Sequence, residues 1–251
     1  EGEIVMACGK YRERARIAGG YGIGARDRAG QLRRFGVLAA SGREVDALSK
    51  LFKACFASGD AAVLRGEYAH TAGLQAAVTG KRFIHLATHG FFRPEGITML
   101  VLTAASNSSP IAVTSQLALA LCGIALAGAN TKPDRFGRRA GILTGEELLQ
   151  LDLGACELLT LAACDGARGV RRAGRDHASL RAALSGAGAR YVLSSLWKVD
   201  DAGTARFMED FYRHLWRDGR SAHDALRHAQ RDARKRGDKF RDWAAWLVFG
   251  I

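Results

Sequence analysis

The chain has 251 residues, 48% of them hydrophobic and 25% charged, and a formal net charge of +12 at pH 7. This length and apolar share are enough to bury a large core, in one domain or in a domain with an N-terminal extension. We expect the simpler arrangement, a single domain over residues 1–251, whose N-terminal residues 1–40 are basic and glycine-rich. Five cysteines without a CxxC pair argue against a disulfide framework and against a structural zinc site.

The sequence also limits the compartment and the partners. No apolar run is long enough to cross a bilayer and no leader is visible, so we expect a cytoplasmic protein without membrane contact; a first residue other than Met suggests a fragment of a longer protein. The charge of +12 can attract nucleic acid, acidic proteins or anionic lipid. Because the arginines are scattered and not interleaved with aromatic residues, we favour a generic basic surface, or one that faces an acidic partner, over a nucleic-acid site.

The N-terminal half of the chain alternates strand and helix patterns. Residues 3–7 are apolar enough for a strand, and a basic, glycine-rich loop follows, whose weak match to a dinucleotide fingerprint lacks the strand that should precede it. Residues 43–56 carry an apolar stripe at helical spacing, residues 61–64 predict a strand, and Thr71 predicts the N-cap of a helix through Val78. Such alternation is typical of an α/β fold.

Two apolar runs end on residues with reactive side chains. Residues 83–87 end just before His89, and residues 156–163 end just before Cys164. Runs of this length are typical of buried strands of a parallel sheet, although periodicity alone does not exclude a buried helix. Ligands and chemistry gather beyond the carboxyl ends of such strands, so two neighbouring strands would present His89 and Cys164 side by side.

The segments around Cys164 complete the alternation. Residues 93–116 contain a strand-like apolar run at 99–102, and we expect an insertion or an edge hairpin there. Residues 144–147 have the Thr/Glu spacing of a capping box that opens a helix through Leu151. After Cys164 we predict an arginine-rich loop over residues 167–177, and Ser179 predicts the N-cap of a helix that ends near residues 186–188.

The C-terminal segment predicts two helices between two strands. Residues 190–193 form the first strand, and Asp200 and Asp201 suit the positive N-terminus of a helix over residues 202–217. Apolar residues at helical spacing form the buried stripes of the two helices: Phe207, Phe211 and Leu215 in the first, and Ala222, Ala225, Leu226 and Ala229 in the second. Residues 243–251 predict a final apolar strand.

Five ordered segments from about Phe83 to the C-terminus resemble the CHAT family, the caspase-like domain named for its association with tetratricopeptide repeats: HLATHGFF, GIALAGAN, GILTGEELLQLDL, LLTLAACD and GARYVLSSLWKVDDAGTARFMEDFYRHL. The resemblance implies a caspase-like three-layer α/β sandwich with a mostly parallel central sheet. It also favours a strand over residues 117–127, which alone would fit a strand or a helix. It further implies a cysteine endopeptidase, of the clan that includes separase, with His89 and Cys164 as its dyad.

The resemblance assigns further roles around this dyad. Backbone N–H groups near Gly90 and Cys164 would stabilise the oxyanion. Asp165 either lines the pocket for the residue before the cut or hydrogen-bonds the turn; an acidic pocket would make the arginines of loop 167–177 self-cleavage sites. By resemblance to caspases, Ser195 and Trp197 form a wall of the substrate groove, while a core position explains Trp197 equally well. The chain departs from the family pattern directly after Cys164, where residues 166–169 replace a small polar pair.

The chemistry of the pair needs no metal and no cofactor. A thiol attacks as the thiolate, and a neighbouring imidazole can lower its pKa and protonate the leaving amine. The spacing of His85 and His89 would suit zinc on a helix, but the segment predicts a strand and lacks the adjacent glutamate. Cys55, Cys122 and Cys156 lie within apolar stripes or runs and are interpreted as structural.

Two main hypotheses follow. The first is a cysteine endopeptidase that cleaves a specific protein and is regulated by another domain or subunit, such as a tetratricopeptide-repeat partner; the family suggests bacterial defence or cell death as its pathway. The second is a non-catalytic scaffold of the same fold that binds a peptide. A module that responds to nucleic acid through the basic surface is a third hypothesis, which strong salt dependence of binding would support.

Overall fold

A computed structural model describes residues 3–8, 35–36, 38–92, 119–132, 134–135, 139–162 and 175–250. Within these ranges the strands are β1 (Glu3–Cys8), β2 (Asp60–Arg65), β3 (Phe83–Ala87), β4 (His89–Phe92), β5 (Cys122–Ala125), β6 (Ile142–Thr144), β7 (Leu158–Leu161), β8 (Tyr191–Ser195) and β9 (Trp246–Gly250). The α-helices are α1 (Ser41–Cys55), α2 (Thr71–Val78), α3 (Gly145–Leu149), α4 (Arg175–Gly186), α5 (Asp201–Tyr212), α6 (Ala222–Lys235) and α7 (Phe240–Trp243).

Six strands form a central sheet in the order β2-β1-β3-β7-β8-β9, in which every pair is parallel except β8 with β9. Side chains of a strand alternate between the two faces of a sheet. In β1, Ile4 and Met6 therefore join the core with α1, α5 and α6, whereas Val5 and Ala7 join the core with α2, α3 and α4. The predicted α/β class, a mostly parallel central sheet flanked by helices, is confirmed.

A smaller antiparallel sheet, β4-β5-β6, continues from the central one. The chain passes from β3 to β4 at Thr88, a buried residue whose hydroxyl donates a hydrogen bond to the carbonyl of Ala125 in β5. The sheet also needs a glycine at Gly123, because a Cβ there would lie 2.4 Å from the carbonyl oxygen of Leu143. The junction at Thr88 fixes the direction in which the chain leaves the carboxyl end of β3.

Most predicted elements are confirmed near their expected positions, and so are two predicted helix starts. Thr144 and Glu147 form a capping box, although the helix they open, α3, ends at Leu149 rather than at Leu151. The carboxylate of Asp200 accepts a hydrogen bond from the backbone N–H of Gly203 at 3.0 Å. The predicted helix over residues 202–217 is α5 followed by a π-helical turn, Arg213–Arg217.

Other predicted boundaries are wrong. His70, not Thr71, caps α2, because its Nδ1 accepts the N–H of Gly73 at 3.0 Å. Helix α4 begins at Arg175, so Ser179 lies inside it and the predicted loop 167–177 gives way to helix at its end. The predicted final strand over residues 243–251 starts only at Trp246, because α7 and a turn precede it. Residues 9–34 and 93–118, which contain the predicted basic loop and the whole of the predicted insertion or edge hairpin, lie outside the described residues.

Candidate active site

The carboxyl ends of three adjacent parallel strands, β3, β7 and β8, meet at one edge of the central sheet. Leu86 of β3 is in register with Leu161 of β7. His89 follows Leu86 by three residues, and in the sequence Cys164 follows Leu161 by the same three residues. The prediction that the two runs form neighbouring parallel strands is confirmed, while Cys164 and Asp165 lie outside the described residues.

His89 is the first residue of β4 and is partly buried. Its Nε2 lies 2.8 Å from the carbonyl oxygen of Gly36, and its ring centroid lies 5.5 Å from that of Phe35. A carbonyl oxygen only accepts, so Nε2 carries the hydrogen and donates it. In the neutral imidazole the lone pair then belongs to Nδ1, which is the nitrogen that can take a proton from a thiol.

The side chain of Asn130 holds the segment that supplies this carbonyl. Its Oδ1 accepts the N–H of Phe35 at 2.9 Å, and its Nδ2 donates to the carbonyl of Phe35, also at 2.9 Å. The ring of Phe35 packs in a small buried cluster with Phe91 and Ala125 of the antiparallel sheet. The Gly36 carbonyl that binds His89 therefore follows a residue, Phe35, whose main chain is bound by Asn130 and whose ring is packed against the antiparallel sheet.

The comparison of the sequence with protein families decides the affiliation. A family model described as the CHAT domain matches residues 12–251, almost the whole chain. The chain belongs to the CHAT domain family. The resemblance drawn from the five ordered segments is thereby confirmed, and a search of curated proteins finds no match to this CHAT domain.

Among solved structures, the fold is similar to the crystal structure of gingipain R, an Arg-specific cysteine proteinase. The TM-score is 0.49 and the sequence identity is 10%, over 99% of this CHAT domain and 46% of the gingipain chain. This CHAT domain thus spans less than half of the length of that proteinase.

Other residues expected near the dyad occupy the same edge of the sheet. Gly90 is buried in β4 opposite Ile124. Ser195 is the last residue of β8 and is buried. The half-buried Trp197 packs against the core, and its Nε1–H donates to the carbonyl of Arg241 at 2.7 Å. Their substrate-binding roles stay predictions.

His85, by contrast, belongs to a buried polar network within β3. Its Nε2 lies 2.9 Å from Oε1 of Glu44, and its Nδ1 lies 3.2 Å from the hydroxyl of Tyr212. Tyr212 in turn donates to Oγ1 of Thr160 at 2.6 Å. Both ring nitrogens of His85 are engaged inside the fold of the CHAT domain. Within the described ranges no three His, Cys, Asp or Glu side chains form a group that could hold a metal ion.

The structural interpretation of the other cysteines is confirmed where their side chains are described. Burial raises the pKa of Cys122 and of Cys156 to about 12. Cys55, the last residue of α1, is partly buried and packs against the core. In the stretches of chain that the structure describes, no helix is long and apolar enough to cross a membrane.

Sequence reasoning missed the partners of His89. The carbonyl of Gly36 leaves no signature in a sequence, because every residue has one. Asn130 is the last residue of the segment GIALAGAN and of the turn that follows β5, and a polar residue at that place was the available signal.

Proposed function

We propose that this CHAT domain is a caspase-like cysteine endopeptidase in which Cys164 is the nucleophile and His89 the general base and acid. The observation that carries the proposal is the register of β3 with β7, from which His89 and Cys164 follow at the same distance along the chain. The fixed Nε2–H of His89 supports it, since the ring nitrogen with the lone pair is then defined.

The reaction has two halves. In the first, Nδ1 of His89 takes the proton of the Cys164 thiol, and the thiolate adds to the carbonyl carbon of the scissile peptide bond. Backbone N–H groups near Gly90 and Cys164 hold the oxyanion, and His89 returns the proton to the departing amine as the C–N bond breaks. In the second half, His89 takes a proton from water, and the hydroxide adds to the thioester and displaces the thiolate. His89 returns the proton to the sulfur of Cys164, and the acid product leaves.

The hydrogen bond between His89 and Gly36 supports this role of the imidazole. The hydrogen bond between Nε2 and Gly36 fixes one side of the ring, so an arriving proton at Nδ1 makes an imidazolium whose second N–H is already bonded. The charge formed during the attack is therefore stabilised without rearrangement of the ring.

The proposal is tested by covalent labelling. A peptide acyloxymethyl ketone library is incubated with the wild type, and the modified residue is found by mass spectrometry. We expect Cys164 to be labelled, and His89→Ala to lower the labelling rate by at least about 100-fold, the size of a general-base contribution. His223→Ala removes an exposed histidine on α6 and serves as the matched control, with an unchanged rate.

Two results would contradict the proposal. Absence of labelling at Cys164 in the wild type, also with a natural partner present, would indicate a scaffold that binds peptides without cutting them. Equal rates for the wild type and His89→Ala would show that the thiol reacts without help from the imidazole.

A further inference from the structure

The segment Phe35-Gly36 is held against the antiparallel sheet by one amide side chain. Asn130 uses its oxygen for the N–H of Phe35 and its nitrogen for the carbonyl of the same residue, each at 2.9 Å. This is the two-bond pattern by which one strand residue binds another, supplied here by a side chain. The next residue, Gly36, places its carbonyl oxygen 2.8 Å from Nε2 of His89.

The turn that presents Asn130 is tightly determined by its own sequence. Gly128 has φ +90°, a conformation that favours glycine. Gly141 lies so close that a Cβ would be 2.1 Å from the backbone nitrogen of Ala129. The carbonyl of Ala129 accepts a hydrogen bond from the buried Arg139 at 2.9 Å. The backbone that carries Asn130 therefore has little freedom to shift, and its amide is a fixed point for whatever it binds.

The chemistry of the contact requires an amide. Phe35 offers one donor and one acceptor, so its partner must accept and donate at the same time. An aspartate would only accept, and its charge would face the carbonyl oxygen of Phe35. An alanine would do neither, and the main chain at Phe35 would lose both of its bonds to this turn.

We propose that Asn130 is a positioning residue of the peptidase. It acts through the main chain of Phe35 and Gly36, which holds Nε2–H of His89 and so keeps Nδ1 directed as the proton acceptor. This inference rests on the proposed function, because it gives Asn130 a role only through His89. Asn130 need not contact the substrate for this role.

The experiment measures the inactivation kinetics and the histidine ring together. Labelling of Cys164 is split into kinact and KI for the wild type and Asn130→Ala, and the ring Nε2–H of His89 is followed by ¹⁵N NMR, assigned with His89→Ala. We expect Asn130→Ala to lower kinact by about tenfold, with KI unchanged. A tenfold change is the effect of losing one hydrogen bond, here the bond between His89 and Gly36. The Nε2–H signal, slow to exchange with water in the wild type, should be lost.

Two further variants control for folding. Asn130→Asp keeps the side-chain size and the acceptor for Phe35 N–H but not the donor, so we expect it to fold and to lose kinact like the alanine variant. Thr131→Ala removes the neighbouring hydroxyl, which donates to the carbonyl of Gly128 at 2.6 Å, and should change neither kinact nor the ring signal. Thermal unfolding shows that each variant is folded.

The outcomes separate the two proposals. A wild-type His89 Nε2–H that exchanges at the rate of an exposed imidazole overturns the role of Asn130 without any variant, and so does a kinact of folded Asn130→Asp equal to that of the wild type. If the wild type is not labelled at Cys164 at all, the peptidase proposal fails. In that case the positioning of His89 by Asn130 is still decided by the NMR signal.

Discussion

His85 and His89 lie four residues apart in one segment, yet the fold uses them differently. His85 lies within β3 and is fully buried, with Glu44 and Tyr212 on its two nitrogens. His89 lies beyond the end of β3 and is partly buried, with the Gly36 carbonyl on Nε2. One imidazole joins helices to the sheet, and the other stands at the edge where parallel strands end.

The difference shows that position along the strand decides what an imidazole can do. Because the O–H of Tyr212 donates to Thr160, the oxygen of Tyr212 accepts a hydrogen bond from Nδ1 of His85, while Nε2 of His85 lies 2.9 Å from the carboxylate of Glu44. An imidazole whose two nitrogens are both hydrogen-bonded inside a core, such as that of His85, cannot reach a substrate. Loss of one of its partners destabilises the fold. At the edge the same chemistry becomes available to a ligand.

The largest expected effect comes from breaking the buried pair. Glu44→Ala leaves His85 without its carboxylate partner in a site where their side chains are 2% and 0% exposed. Removing one member of a buried pair typically costs about 3–5 kcal/mol, so we expect that loss in the free energy of unfolding, measured in urea. His89→Ala loses the hydrogen bond to Gly36 at a partly exposed site and should cost only about 1 kcal/mol.

Glu44→Gln is the matched control, because it keeps the side-chain volume and an oxygen that can accept from Nε2. We expect it to lie between the wild type and Glu44→Ala. If His89→Ala proved as destabilising as Glu44→Ala, the two histidines would not differ in the way described, and a loss of labelling in His89→Ala could be an effect on folding.

A smaller effect is expected from Tyr212→Phe. This change removes the hydroxyl that joins His85 to Thr160 and leaves both of those buried groups short of one partner, while the ring and its packing remain. An unsatisfied buried polar group costs about 1–3 kcal/mol, and we expect a loss in that range in urea unfolding. The rate of Cys164 labelling in the folded variant should equal that of the wild type. A clear drop in that rate would instead show that the buried network acts on the site.

Much of the fold was predictable because its strands are short apolar runs. The runs that became β1, β3, β7 and β8 are buried on both faces of the sheet, so their composition alone marks them. The helix starts were harder. An imidazole nitrogen caps α2, whereas N-cap preferences favour the adjacent Thr71. Serine is also a preferred N-cap residue, yet α4 starts four residues before Ser179.

The site was only partly predictable, for a physical reason. The position of His89 just beyond β3 follows from where one apolar run ends, and the same pattern predicts Cys164 just beyond the next run. The Gly36 carbonyl is a backbone group, and its approach to His89 spans 53 residues of sequence; the Asn130 contact with Phe35 spans 95. Contacts between residues so far apart in the sequence depend on the complete fold, so no local sequence pattern predicts them.

The smallest expected effect concerns the cysteines, which repeat the contrast between the two histidines. Cys156 precedes β7 and is buried, as is Cys122 at the start of β5, and burial raises the pKa of both thiols to about 12. The thiolate is the reactive form, so at pH 8 only about 1 in 10,000 of either thiol can react, and the labelling rate should rise about tenfold per pH unit toward pH 12.

Iodoacetamide at pH 8, with mass spectrometry of the peptides, checks this expectation. In the native protein Cys122 and Cys156 should stay unmodified while Cys164 reacts, and in urea all three should react, which controls for peptide recovery. Native Cys156 that reacts as fast as it does in urea would show that burial does not protect it. Reactivity would then not distinguish the interior of the sheet from the edge where the strands end, and labelling at Cys164 would no longer single out that edge.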